Sequence, residues 1–160
     1  MKTGLILGKF VPLHKGHEHL LQEAINQVDL LFVAIYNRPD ITNIPAFIRA
    51  NWIKSKFPDV QIVICQNPHQ FGHEHSKLHV KYIEKVFGRA NITHLFSGET
   101  DHREAIAKSF GADLIIIPRT EIPVSGTEIR SNPKKYKNYL DLDILTEYNH
   151  WQNQPKENTL

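Results

Sequence analysis

Short apolar runs of β-type residues alternate with segments of helical apolar spacing along nearly the whole chain, and few architectures accept that pattern. Thr3–Leu7, Leu30–Tyr36, Val60–Cys65, Thr93–Ser97 and Ala112–Pro118 read as strands. Between the first two, Leu20, Leu21, Ala24, Ile25 and Val28 recur at helical spacing. Pro45–Phe57 carries a stripe of Ile48, Trp52 and Ile53, with Pro45 suited to a first helical position. His75–Phe87 reads as a helix closed by Gly88, and Asp101–Phe110 as one capped by Asp101 and stopped by Gly111. Leu114 to Ile117 are four consecutive branched apolar residues, as in a strand buried on both faces. The expected fold is therefore α/β: a Rossmann-like open parallel sheet of about five strands with helices on both faces. Such sheets bind ligands beyond the carboxyl ends of the strands, where strand order reverses. The loops after strands one, four and five are thus the places to look for chemistry. Further on, Pro133–Leu140 is expected to form a short helix and Asp143–Asn149 a last one. The length of 160 residues suits one domain over 1–150, followed by a polar, flexible tail over 151–160.

Composition removes several function classes. Hydrophobic residues make up 41% of the chain and charged residues 22%, which excludes a disordered chain. The 19 basic and 17 acidic side chains are spread along the sequence, giving a net charge of +2, whereas a nucleic-acid binder concentrates basic charge. No apolar run approaches the roughly 18 residues of a membrane span, and the start is too short and too soon charged for a signal peptide. Neither a nucleic-acid nor a membrane partner is expected. Cys65 is the only cysteine, so no intrachain disulfide and no cysteine zinc cage can form. That fits a reducing, cytoplasmic setting.

The segment Gly8-Lys9-Phe10-Val11-Pro12-Leu13-His14-Lys15-Gly16-His17 follows the first strand directly and opens the first helix. A glycine at position 8 would let a phosphate approach the backbone. His14 and His17, three apart, would project from one side of the entering turn, with Gly16 keeping the space between them open. With Lys9 and the free N–H groups of a helix start, they make an anion site. A second segment, Pro123-Val124-Ser125-Gly126-Thr127-Glu128-Ile129-Arg130, lies just past strand five. Ser125 or Thr127 can cap a helix there. Arg130 offers a planar fork of donors suited to phosphate.

Together, Gly-Lys-Phe-x-Pro-Leu-His-x-Gly-His and Ser-Gly-Thr-x-Ile-Arg resemble the signature pair of the HxGH nucleotidyltransferase superfamily. The variant resembles the nicotinamide-mononucleotide adenylyltransferase domain of NadR-type proteins. Lys9 and Pro12 match that variant, where cytidylyltransferases and pantetheine-phosphate adenylyltransferases begin Gly-[Ser/Thr]-Phe-Asp. Asn132-Pro133 to Tyr136 and Tyr139-Leu140 also resemble the segment that follows there, and Arg49-Ala50-Asn51-Trp52 and Phe96-Ser97-Gly98-Glu99 match more loosely. The resemblance covers most of residues 1–140. No G-x-x-x-x-G-K-[ST] occurs, so the kinase and repressor roles of larger NadR-type proteins are not carried over.

The resemblance implies that a mononucleotide 5′-phosphate attacks the α-phosphorus of ATP in line and pyrophosphate leaves, giving NAD from nicotinamide mononucleotide. It implies that His14 and Lys9 contact the transferring phosphoryl group, that His17 holds a β- or γ-phosphate, and that Ser125, Thr127 and Arg130 hold the pyrophosphate end. Gly8, Phe10, Gly98 and Asp101 complete the implied ATP set. Mg2+ would bridge the phosphates, with no protein cage of its own. For the pyridine ring, Phe71 and Trp52 are candidate stacking partners, Trp52 lying on a core stripe as well. Arg49 and Arg119 are further phosphate candidates, with solvated surface positions as the alternative. His69, His73, His75 and His79 invite a zinc reading, but there is no H-E-x-x-H, and a solvated loop and helix start fits them better. Cys65 suits a small buried hydrophobe. Other acceptors (nicotinate mononucleotide, FMN or phosphopantetheine) and a nucleotide sensor without turnover remain open. Related enzymes are commonly oligomers, which leaves a homo-oligomer open as well.

Overall fold

The computed structural model describes residues 1–66, 77–98, 103–118 and 122–154. Five strands, β1 (Thr3–Gly8), β2 (Leu30–Tyr36), β3 (Gln61–Cys65), β4 (His94–Ser97) and β5 (Asp113–Ile116), form one sheet in the order β3-β2-β1-β4-β5. Every neighbouring pair is parallel. The register sets Ile6 of β1 between Val33 of β2 and Phe96 of β4. The chain builds outward from β1 to β3, then returns to place β4 on the other side of β1. Strand order therefore reverses between β1 and β4, and a crevice opens at their carboxyl ends.

The period-2 alternation of the strands divides the core between the two faces. On one face Ile6, Val33, Ile35 and Phe96 pack with Leu21 and Ala24 of α1 (Lys15–Ile25) and Trp52 and Ile53 of α2 (Ala46–Lys56). Ile129 of α5 (Gly126–Ser131) and Ile144 and Tyr148 of α6 (Leu142–Gln152) join that cluster. On the other face Leu5, Leu7, Ala34, Tyr36 and Leu95 pack with Ile83 and Phe87 of α3 (Lys77–Phe87) and Ile106 and Ala107 of α4 (Glu104–Phe110). Helices on both faces of a parallel sheet are what the strand–helix alternation predicts. Cys65 belongs to the second cluster, and burial pushes its thiol up to about 11, against a smaller opposing pull from the Tyr82 hydroxyl. Among the described residues no helix is long and apolar enough to cross a membrane.

Several boundaries differ from the sequence expectation for identifiable reasons. Pro45 is the N-cap of α2, with φ −57° and ψ 146°, rather than its first helical residue. Pro133–Leu140 is not one helix. The Asn132 side chain accepts from the Lys135 N–H at 3.2 Å, an Asx-type turn, and only a 3-10 turn over Lys137–Tyr139 follows. The last helix is longer than expected because its apolar stripe continues from Ile144 and Tyr148 to Trp151, which packs on the first core. The Trp151 carbonyl also accepts from Asn43 Nδ2 at 3.0 Å, so positions 151 and 152 belong to the folded body. Gly111 stops α4 as expected, in the left-handed conformation at φ 63°. The expected starts of α3 at His75 and of α4 at Asp101, and the tail beyond residue 154, lie outside the described residues.

Candidate active site

The segment between β1 and α1 turns on Phe10, whose φ of 54° is in the left-handed region. A bulky residue there costs on the order of 1–3 kcal/mol and persists only where its surroundings enforce it. The Phe10 ring is buried, and it folds back over Gly8. A Cβ at Gly8 would lie 2.9 Å from Phe10 Cε2, so glycine is needed to admit that ring.

The two histidines cap α1. His14 is the N-cap, and its Nδ1 accepts from the N–H groups of Gly16 at 3.1 Å and His17 at 3.3 Å. His17 Nδ1 accepts in return from the His14 N–H at 3.4 Å. This is a reciprocal capping box built from imidazoles. A neutral imidazole that accepts at Nδ1 carries its proton on Nε2. With Nδ1 accepting in each ring, Nε2 is the nitrogen left to carry the proton. They stack on each other with centroids 3.7 Å apart, and the Phe10 ring lies 4.7 Å from that of His17. A Cβ at Gly16 would meet His14 Cε1 at 2.9 Å and Nδ1 at 3.0 Å. The glycine of the His-x-Gly-His motif therefore gives room to the His14 ring itself. Lys15, between them, turns away to Glu18 at 3.4 Å and to Asp141, and Lys56 bonds the same two carboxylates. That partly exposed network ties α1, α2 and the start of α6 together and keeps Lys15 out of the crevice.

On the other side of the crevice Ser125 caps α5, accepting from the Glu128 N–H at 3.1 Å. The Thr127 hydroxyl instead receives Arg130 Nη2 at 3.2 Å. Arg130 Nη1 donates to the Val11 carbonyl at 3.0 Å, across the gap between the two segments. Gly126 leaves room for that contact, because a Cβ there would sit 3.0 Å from Arg130 Nη1 and 3.4 Å from the Val11 oxygen. Burial lowers the pKa of Arg130 from its ordinary value; nearby Arg38 lowers it further, and Tyr148 opposes the shift.

Between these walls lies a cavity of about 310 Å³ at the ends of β1 and β4. Gly8, Lys9, Phe10, His17, Gly98, Ser125, Thr127 and Arg130 all line it, so the structure brings together most of the residues singled out from sequence. His14 faces a neighbouring recess of about 20 Å³, which it shares with His17 and Gly98. Tyr36, Ser97 and Arg103 also line the main cavity. Arg103 belongs to neither motif; it is the N-cap residue of α4, in the loop after β4, and its Nη2 donates to the Leu7 carbonyl at 3.3 Å. Among the described residues the lining holds the cations Lys9, Arg103 and Arg130 and no carboxylate, so its charge is positive. Among the described residues no cluster of three His, Cys, Asp or Glu could hold a metal ion.

Three sequence expectations change. Arg49 is neither solvated nor in the cavity: it is fully buried, with Nη1 donating to the carbonyls of Lys9 at 2.5 Å and Tyr36 at 2.9 Å and Nε to that of Ile44 at 3.2 Å. Burial brings its pKa down to about 10, so it stays charged at neutral pH. Trp52 is 5% exposed and packed in the core, where a sealed ring has no face to offer a ligand. His79 is buried too, bonded through Nε2 to the Tyr36 hydroxyl at 2.9 Å, not part of a solvated helix start. Phe71, Asp101, Arg119, His69, His73 and His75 lie outside the described residues.

No protein-family model matches the chain. Over 160 aligned residues it is 24% identical to the trifunctional NAD biosynthesis/regulator protein NadR of Escherichia coli, covering 88% of this chain and 39% of that protein. A NadR protein solved with NAD and AMP-PNP superposes with a TM-score of 0.66 at 16% identity, over 92% of this chain and 46% of that one. The chain resembles the NadR-type nucleotidyltransferase domain in both sequence and fold. A bifunctional NMN adenylyltransferase/ADP ribose pyrophosphatase from Francisella tularensis superposes with a TM-score of 0.67 at 15% identity, over 97% of this chain and 51% of that one. The sheet order and the place where strand order reverses thus belong to a fold this chain shares with those structures. The chain spans well under two thirds of each of these relatives, 39% of the curated one.

Proposed function

We propose that the protein transfers the adenylyl group of ATP to a pyridine mononucleotide, nicotinamide mononucleotide foremost, releasing pyrophosphate and NAD. The observation that carries this reading is the Arg130–Val11 hydrogen bond at 3.0 Å, which joins the two phosphate-binding segments around one cationic cavity. A phosphate monoester has a second pKa of about 6, so it arrives mostly dianionic and needs no general base. Catalysis then rests on positioning and on stabilising charge at the α-phosphate. Lys9 and the Nε2–H groups of His14 and His17 meet the reacting and adjacent phosphates. Arg130, steadied by Thr127, holds the departing pyrophosphate with the Ser125 end of α5. Magnesium would enter as the ATP complex, since Mg2+ readily keeps its waters and phosphate ligands. A cytosolic location suits these substrates.

The test is a panel of acceptors with ATP and magnesium, reading pyrophosphate release. Turnover is expected with nicotinamide mononucleotide and near background without an acceptor. Faster turnover with nicotinate mononucleotide, FMN or phosphopantetheine would move the assignment to that acceptor. ATP binding with no turnover on any would make the protein a nucleotide sensor.

A further inference from the structure

Three alternate carbonyls, running from the end of β1 into the phosphate segment, each receive an arginine from a different helix. Leu7 takes Arg103 from the start of α4 at 3.3 Å, Lys9 takes Arg49 from α2 at 2.5 Å, and Val11 takes Arg130 from α5 at 3.0 Å. Arg103 and Arg130 also line the cavity, so their loss would remove ligand contacts as well. Arg49 does not line it. It is fully buried beneath the segment, with its Nη2 lacking a hydrogen-bond partner.

We propose that Arg49 is a positioning residue that acts on the anion site through the peptide of Lys9. One nitrogen, Nη1, ties the Lys9 carbonyl to the Tyr36 carbonyl at the end of β2, fixing the phosphate segment to the sheet. The next residue, Phe10, holds a left-handed backbone, and the carbonyls on either side of it are those clamped by Arg49 and Arg130. Two guanidinium groups therefore hold a strained residue in place. Turning the Lys9 and Val11 carbonyls toward arginines also keeps their negative ends from facing a phosphate. Release of the Lys9 carbonyl lets Phe10 relax and swings the Lys9 side chain off its mark. Displacements of about 1 Å can cost a hundredfold in rate.

This inference rests on the proposed adenylyl transfer, and a double-mutant cycle tests it apart from that reading. Wild type, Arg49→Lys, Lys9→Ala and the double variant are compared for kcat and for the ATP dissociation constant, with circular dichroism and Tm as folding controls. Arg49→Lys should lower kcat about tenfold or more with Lys9 present, and less than about threefold once Lys9 is alanine, because contacting residues couple. Equal losses in both backgrounds would show a general structural defect and overturn the proposal. If Arg49→Lys does not fold, Arg49→Gln, whose amide can donate to two carbonyls, takes its place; if neither folds, Arg49 is a folding residue only and the proposal falls. Wild type that binds ATP and transfers nothing would overturn the proposed activity, while the cycle in ATP affinity still decides the role of Arg49.

Discussion

Replacing Gly16 by alanine separates the architecture of the site from the stability of the fold. The new Cβ would lie 2.9 Å from His14 Cε1 and 3.0 Å from Nδ1, whereas carbon contacts settle at about 3.5 Å or more. The His14 ring must therefore retreat by roughly 0.6 Å. It cannot do so at no cost, because it is buried, stacked on His17 at 3.7 Å and holds two N–H groups at 3.1 and 3.3 Å. The longer of these bonds breaks first. Losing an N-cap costs about 0.5–2 kcal/mol. Alanine at a helical position recovers up to about 1 kcal/mol over glycine. The two effects nearly cancel, so stability should change by no more than about 1 kcal/mol, which is a Tm shift of about 2–4 °C for a chain of this size. Activity has no such compensation. Both imidazoles move relative to the phosphates, and kcat/KM for ATP should fall by about 10- to 100-fold. Thermal melts and steady-state pyrophosphate release on the same preparation check this. Wild-type turnover in Gly16→Ala, or a loss of fold as large as the loss of rate, would refute the reasoning.

Arg130→Lys keeps the charge but not the fork that spans Val11 and Thr127, so kcat/KM for ATP should drop about 10- to 100-fold; kinetics with each substrate varied in turn should show the mononucleotide constant nearly unmoved. His79→Leu removes a buried partner of the Tyr36 hydroxyl and should cost about 1–3 kcal/mol in urea unfolding; a wild-type midpoint would mean the pair contributes nothing. Cys65, buried and with its thiol pushed up to about 11, should resist a thiol reagent at pH 8 in the native protein and react at once in denaturant, and prompt native labelling would contradict its burial.

The sheet was legible because apolar strands alternating with helical stripes allow little besides a parallel α/β arrangement. The site was legible because fixed spacings at a strand-to-helix junction dictate local geometry; Ser125, predicted as one of two caps, caps α5 while Thr127 serves Arg130. Polar residues on apolar faces were not legible. Arg49, Trp52 and Ile53 share one side of α2 at spacings of three and four, so the arginine was on the buried stripe all along. His79, Ile83 and Phe87 repeat every four residues on α3 in the same way. The polar character of Arg49 and the polar loop before His79 suggested solvent, and the long-range partners that make burial tolerable, the carbonyls of Lys9 and Tyr36 and the hydroxyl of Tyr36, have no signature in local spacing. Arg103 was missed because it stands outside either motif; its one signal is its place at a helix start after β4, beside the switch point.

The most direct test of the central claim follows the α-phosphate itself. ATP labelled with 32P at the α position is incubated with the protein, magnesium and nicotinamide mononucleotide, and the products are separated. The account predicts label in the dinucleotide, with one pyrophosphate released for each dinucleotide formed and no label retained on the protein. Label that stays in ATP, appears as AMP without dinucleotide, or becomes bound to the protein would contradict direct in-line transfer between two substrates held in one cavity.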